Sequence, residues 1–316
     1  MFSMIALIGC LLCSQAAPQP PAPLPADAPF AAAALGSVQL QLTLDRPELV
    51  SPRLPAPLTL TARNIGGEPI DVPIPSFSSQ HGPLNTVDLY AARDAAASLE
   101  RVRFVVPDFS PCKEGLQPPQ PQLMRLNPGH SHAFSVPLSY DWDLDLPRPL
   151  IEVGSLRVQA RLHPLVPAAG GGWRIDRDAG VASNTLTIQI PAPAGADAEV
   201  YRALKRRPRP WLLAAPEVMA QMPDEDGLMR FADKLEEQHP ASIYNLYARA
   251  ARSQMLAAGE LRLNQRHLRR PDLDAAARLA DEVERDPRWF MAQRMEPMRE
   301  RIRITRESLT AQSEKP

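Results

Sequence analysis

The sequence predicts a two-domain chain: an all-β sandwich over residues 37–191, then an all-α domain of helical hairpins, a short solenoid, over 196–312. Three observations carry this expectation. From residue 37 onward apolar and polar residues alternate, the period of a strand with one buried face. Past the stretch Pro191-Ala192-Pro193-Ala194-Gly195 the apolar period changes to about 3.6, the period of an amphipathic helix. Finally, 36 prolines fix φ and interrupt helices and sheet interiors alike, which demands loops, edge strands and linkers.

Residues 1–17 are predicted to be an export signal. Positions 1–12 are nearly all apolar, and the small-residue exit Ser14-Gln15-Ala16-Ala17 suits cleavage, with the mature chain starting at or near Ala17 or Pro18. The segment is too short to span a bilayer stably, and its start lacks the Lys or Arg usual in such signals. An alternative is open, because Leu7-Ile8-Gly9-Cys10 resembles the bacterial lipobox, which makes Cys10 a candidate lipid-attachment site. Cleavage near Ala16 leaves Cys112, in a Pro-flanked polar loop, as the single thiol, so no internal disulfide is expected. Residues 18–36 form a Pro/Ala-rich linker.

The strands follow in order. Val38, Leu40, Leu42 and Leu44 alternate with Gln39, Gln41 and Thr43. Leu58, Leu60 and Ala62 do the same, and with the turn Asn64-Ile65-Gly66-Gly67 and Ile70, Val72 and Ile74 they predict a hairpin. Further strands are expected at 87–90, 102–106 and 132–138, then through Leu156, Val158, Ala160 and Leu162, and last through Leu186, Ile188 and Ile190. Gly170-Gly171-Gly172 is expected at a hairpin tip. Seven to nine short strands, each sheet with one apolar face to cover, imply a sandwich.

In the second part, Leu228, Phe231, Ala232 and Leu235 share one helix face, as do Ile243, Leu246, Tyr247 and Ala250. Leu273, Ala276, Ala277, Ala280 and Val283 make a third stripe; Met291, Met295, Met298, Ile302 and Leu309 make a fourth. Pro240, Gly259, Pro271 and Pro287 are stops. Ala232-Asp233-Lys234-Leu235-Glu236 reappears as Ala280-Asp281-Glu282-Val283-Glu284, each followed by a proline and a further helix, which suggests stacked helix pairs. Two separable folding units meeting near 191–199 are expected.

Leu126-Asn127-Pro128-Gly129 before an alternating strand, Tyr140, the run at 154–162 and the closing run 183–188 resemble immunoglobulin-like domains of exported bacterial proteins; in that family's Gly-x-Tyr-x-Val-like strand the tyrosine position here reads Leu156. The helical part, with the turn Pro240-Ala241-Ser242 before Tyr244 and Tyr247, is similar to tetratricopeptide-like exported proteins. These resemblances imply fold, and no activity.

Candidate chemistry is sparse. Gly129-His130-Ser131-His132-Ala133 echoes a nucleophile elbow, but Ala133 stands where the last glycine belongs and a strand is expected next. His130 and His132 share a strand face; a metal site needs further ligands, with His81 and His163 available only if the fold brings them there. Asp141, Asp143, Asp145 and Glu152 match calcium-loop spacing superficially, but Leu146 replaces the turn glycine. Lys205-Arg206-Arg207-Pro208-Arg209 beside Trp211 could hold phosphates, yet it suits a helix C-terminus equally. No catalytic residue, metal site or cofactor is predicted, and the net charge of -1 gives no argument for nucleic acid. No transmembrane span is predicted.

The function expected is a non-enzymatic binding or scaffold module for a protein or glycan partner in the periplasm or at the cell surface. Alternatives are an accessory or inhibitor-like domain of an exported hydrolase system, and an enzyme with a site assembled from distant residues such as His130, His132 and Asp141. Tyr244, Tyr247, Trp289 and Phe290, at similar offsets after the two repeat prolines, are the candidate partner-binding residues. The competing account makes them core residues that close helix pairs.

Overall fold

The computed structural model describes residues 32–74, 86–93, 97–102, 123–138, 140–142, 147–168, 173–206, 228–258, 271–289, 299–300, 302–304 and 306–307. Among these, every strand precedes residue 191 and every α-helix follows residue 194. The chain is thus a β-rich part, made of several antiparallel sheets, followed by a helical part.

Two sheets build the first core. In one, β2 (Ala56–Asn64) lies between β1 (Val38–Leu44) and β7 (Ser131–Leu138). The register sets Leu42 beside Leu60 and Leu60 beside Phe134, so the apolar rows line up on one face. In the other, β4 (Val87–Ala92) lies between β5 (Glu100–Val102) and β10 (Gly154–Leu162). The far edge of β10 is shared by β14 (Leu186–Ile190) at its start and β13 (Val181–Ala182) at its end. Ser183 fills the gap between them, its N–H donating to Ala160 O and its Oγ accepting from Ala160 N. Leu40, Leu42, Leu60 and Val136 of the first sheet join Leu89, Leu156, Val158 and Ile188 of the second in one buried cluster. Asn184 ties the two sheets together. Its side-chain amide accepts from Leu42 N (2.7 Å) and donates to Leu42 O (3.0 Å), standing in for a neighbouring strand at the β1 edge.

The hairpin expected from 58–74 does not form. The edges of β2 are taken by β1 and β7, and β3 (Ile70–Pro73) pairs instead with β6 (Leu123–Leu126). Asn64 redirects the chain. Buried completely, it donates to Glu68 O and Leu126 O and accepts from Gly66 N, so its amide satisfies the backbone of the turn and fastens it to β6. Three short pairs complete the β-rich part, and prolines interrupt the alternation in one strand of each. Two are β3 with β6 and β8 (Tyr140–Trp142) with β9 (Pro147–Pro149). The third is β11 (Leu165–Pro167) with β12 (Trp173–Ile175), which flank the glycine run.

The helices are α1 (Gly195–Lys205), α2 (Leu228–Gln238), α3 (Ile243–Ala258) and α4 (Leu273–Arg285). α4 begins at Asp272, whose carboxylate accepts from Ala275 N at 3.0 Å, an N-cap. α3 is the centre: Tyr244, Asn245, Leu246, Tyr247 and Ala248 are all buried in succession, so it is covered on every side. Ser242 and Asp197 cap its start together. Asp197 of α1 accepts from Ile243 N and from Ser242 Oγ, while Ser242 Oγ accepts from Tyr244 N. The sequence repeat has a structural counterpart. In α2, Asp233 and Glu236 pair with Arg252 and Arg249 of the next helix. In α4, the matching Asp281 and Glu284 both pair with Arg299.

Candidate functional site

Among the described residues, two clusters of buried or part-buried ionisable groups stand out. The first is on the outer side of the second sheet. Along β4, Val87 and Leu89 face the core, which turns Asp88 to the opposite face. Cross-strand from it is Arg161 of β10, and one pair further on His163 N donates to Thr86 O. The loop 176–180 between β12 and β13 roofs this face. Under it His163 is completely buried and the Asp88 side chain is 7 % exposed. Asp88 Oδ1 accepts from Arg101 of β5 (2.8 Å); Oδ2 lies 3.1 Å from His163 Nε2 and 3.4 Å from Arg177 Nε. Burial pushes the Asp88 carboxyl up, but His163 and Arg101 outweigh it and hold the group below the usual aspartate range. The other ring nitrogen, His163 Nδ1, lies 2.8 Å from Ala179 O. Gly180, at φ +149°, is pressed against this ring: a Cβ there would stand 2.7 Å from Leu162 O and 3.0 Å from His163 Nδ1.

The second place joins the β-rich part to the helices. The chain at Pro52–Leu54, just before β2, reaches over and inserts Leu54, 1 % exposed, into the helical core cluster. Arg53 adopts φ +66°, a left-handed conformation rare for a non-glycine residue. Its N–H donates to Ile151 O, its Nε pairs with Glu152 at 2.7 Å, and its guanidinium lies 5.9 Å from the Tyr201 ring centroid. Tyr201 of α1 donates its hydroxyl to Glu152 Oε2, and burial followed by this bond pushes its pKa up to about 12. Tyr244 completes the joint, its hydroxyl donating to Pro52 O at 2.9 Å inside the core. Arg46 adds a rim contact to Pro287 O.

Of the residues singled out in the sequence, Tyr244 and Tyr247 are sealed in the helical core at 0 and 2 % exposure, and Trp289 packs against Tyr247 with ring centroids 5.1 Å apart. These three occupy the core position that competed with the partner-binding reading. Their spacing matched an interface stripe because Ile243 and Leu246 extend the same apolar surface around a central helix. Phe290 lies outside the described residues, as do Cys10, Cys112, His81, Asp143, Asp145, Arg207, Arg209 and Trp211. His130 and His132 are exposed at the start of β7, where His130 N closes a turn on Asn127 O and a strand follows. Asp141 lies in β8 opposite Arg148. Among the described residues, no group of three or more His, Cys, Asp or Glu could hold a metal ion, and no helix is long and apolar enough to cross a membrane. Lys205 packs its ammonium 4.9 Å from the Tyr201 ring centroid at the end of α1.

Neither cluster was anticipated. Asp88 and His163 are 75 positions apart and each sits beside a regular alternation; only the pairing of β4 with β10 brings them together. A usable signal existed at Asp88, a lone charge between two core residues in an otherwise apolar strand.

No protein family matches the chain, and no curated protein matches it. Among solved structures, an ApaA protein from Bordetella pertussis aligns over 50 % of this chain and 93 % of its own, at 15 % identity and a TM-score of 0.21. A β-D-glucoside glucohydrolase from Trichoderma reesei aligns over 48 % of this chain and 18 % of its own, at 13 % identity and a TM-score of 0.20. Native α2-macroglobulin from Escherichia coli aligns over 84 % of this chain and 41 % of its own, at 12 % identity and a TM-score of 0.22. TM-scores this low carry no argument about fold or activity.

Proposed function

We propose that this chain is a non-enzymatic binding or scaffold module for a protein or glycan partner, exported to the periplasm or cell surface. On this reading the β-rich part is an immunoglobulin-like sandwich and the helical part a short tetratricopeptide-like array. The observation that carries the scaffold reading is the joint itself. Leu54 in the helical core, Tyr244 on Pro52 and the Arg53–Glu152–Tyr201 cluster hold the two parts in one fixed relation. A rigid joint pre-organises two surfaces for one partner and so reduces the ordering cost of binding. The repeated acid–arginine pairing between successive helices supports the array, because stacked pairs with equivalent inter-helix contacts are how such arrays are built.

The test uses the whole chain. Immobilised protein is titrated with purified cell-wall glycans and with envelope proteins identified by crosslinking in the source cell, and the same preparation is assayed with ester, glycoside and phosphoester substrates. Saturable binding to one component, weakened by Leu54→Ala, is the expected result. Turnover of any substrate, abolished by a single side-chain replacement that leaves the fold intact, would replace this reading with an enzymatic one.

A further inference from the structure

We propose that the open edge of β7 pairs with the same edge of a second copy of this chain, joining two three-stranded sheets into one continuous sheet. The register shows which backbone groups are available. At the two ends of the β1–β2 pairing, Ile65 N donates to Ser37 O and Asp45 N donates to Pro57 O. Hydrogen-bonded pairs alternate along an antiparallel ladder, so the odd-numbered residues of β2 bond β1 and the even-numbered ones bond β7. The bond from Asn64 N to His130 O agrees. Opposite the even positions of β2 lie His132, Phe134, Val136 and Leu138. Ser131, Ala133 and Ser135 therefore turn their N–H and C=O groups away from β2, and among the described residues no strand receives them. Ser131 and Ala133 are exposed and Ser135 is half-buried. Pro137 points the same way, so its missing N–H costs β2 nothing, which is how a strand tolerates proline at an edge.

The two edges of this sheet differ. On β1 the Asn184 side chain occupies both backbone groups of Leu42. On β7 there is no such plug, and the chain from Leu126 to Tyr140 carries no Lys, Arg, Asp or Glu, the charges that usually guard an exposed edge. The strand also matches itself. In an antiparallel pairing centred on Ala133, Ala133 faces its own copy, Ser131 faces Ser135, and His132 faces Phe134, whose rings already lie 4.8 Å apart within one chain. This register uses all the outward groups of Ser131, Ala133 and Ser135 on both copies. Sliding the copies by two residues either sets Pro137, with no N–H to give, opposite Ser131, or pairs Ser135 with Gly129, ahead of the strand. Charge favours the same arrangement. Exposed Arg63 lies beside Ser131 at one end, and Asp45, which accepts from Thr59 beside Ser135, lies at the other. The two-fold axis brings the Arg63 end of each copy toward the Asp45 end of the other, and small side chains at the seam let the backbones meet.

The experiment is sedimentation velocity of the full chain. One short strand makes a small interface, so a dissociation constant of about 10–100 µM is expected. Ala133→Pro removes an outward donor and no bond to β2. It should weaken the dimer at least about tenfold, since one hydrogen bond is lost from each copy. Ala133→Lys and Ala133→Glu each set like charges face to face and should leave monomers. An equal mixture of those two chains should restore the dimer, because only self-pairing centred on Ala133 brings the two positions together. Ala133 is exposed, so the melting temperatures of the Lys and Glu variants should match wild type, which separates loss of the dimer from loss of the fold. In wild type the amides of Ser131, Ala133 and Ser135 should exchange freely in dilute solution and become protected as concentration rises, while those of His132, Phe134 and Val136 stay protected throughout. A wild-type chain that remains monomeric up to about 500 µM, well above the expected constant, overturns the proposal and leaves the edge to an extended segment of another protein. A dimer untouched by all three changes, or a Lys–Glu mixture that stays monomeric, overturns it as well.

Discussion

Replacing Leu54 separates a rigid joint from a flexible tether. Leu54 belongs by sequence to the β-rich part, yet its side chain is 1 % exposed within the helical core, alongside Tyr201, Tyr244 and Tyr247. Leu54→Ala removes buried methyl groups and leaves a cavity, a loss of about 2–5 kcal/mol depending on how far the site collapses. Tyr244→Phe keeps the ring and removes the hydroxyl that donates to Pro52 O. It strands a buried carbonyl, at a cost of about 1–3 kcal/mol. For a chain of this size each kcal/mol lowers the melting temperature by about 2–4 °C, so Leu54→Ala is expected to lower it by roughly 4–20 °C. The decisive reading is where the loss falls. If the joint couples the parts, calorimetry shows one transition that shifts as a whole, and hydrogen exchange in β4 and in α3 accelerates together. The double variant should lose less than the sum of the singles, because both changes open the same joint. Two transitions, with only the helical one shifted by Leu54→Ala, would refute the coupling and restore two separable units meeting near residues 191–199.

Three further outcomes follow from the buried polar groups. The Asp88 carboxyl is held below its ordinary value of about 3.9, so its contribution is present above that pH and lost as the pH falls through the lower folded-state value. Denaturant midpoints between pH 5 and 2.5 should therefore fall less steeply in Asp88→Asn than in wild type, and equal slopes would contradict this. Tyr201 titrates oppositely: its neutral hydroxyl donates to Glu152, and its pKa is pushed up to about 12 against an ordinary value of about 10. The Tyr201 contribution should be constant below pH 10 and be lost from there toward 12, and Tyr201→Phe should flatten that alkaline decline. Asp197→Ala removes the carboxylate that caps α3 from α1. It should lower stability by about 0.5–2 kcal/mol, the range for a lost N-cap, whereas Arg303→Ala on the solvent face should be nearly silent by the same thermal melt.

The neighbouring helices account for the polar content of α3. Covered on every side, this helix buries Asn245, Ser253 and Gln254 as well as its tyrosines. Such groups are tolerated where they find partners: Asn245 Nδ2 donates to Glu236 and to Pro240 O, and Ser253 Oγ donates to Ala276 O in α4. The hydrogen bond of Tyr244 to Pro52 belongs to the same set, and it is the one that leaves the helical part.

Local periodicity determined much of this protein without any structure. The alternation through 38–44 and 156–162 became β1 and β10, the stripes at 231–235, 243–250 and 273–283 became buried helix faces, and the change of period near 191 marks the passage from strands to helices. These are short-range patterns, set by which side chains one backbone geometry turns to the same side. Partner choice was beyond them. Nothing local to Asn64 says that the chain leaves β2 for β6, since that depends on β1 and β7 already holding both edges of β2. The aromatics at 244, 247 and 289 have the same spacing in a core as at an interface, and only the placement of α1, α4 and the Leu54 loop around α3 decided between them. Asp88 with His163, and Arg53 with Glu152 and Tyr201, are joined across 75 to 148 positions of chain. Contacts at such separations are set by how whole elements pack, which no window of neighbouring residues contains.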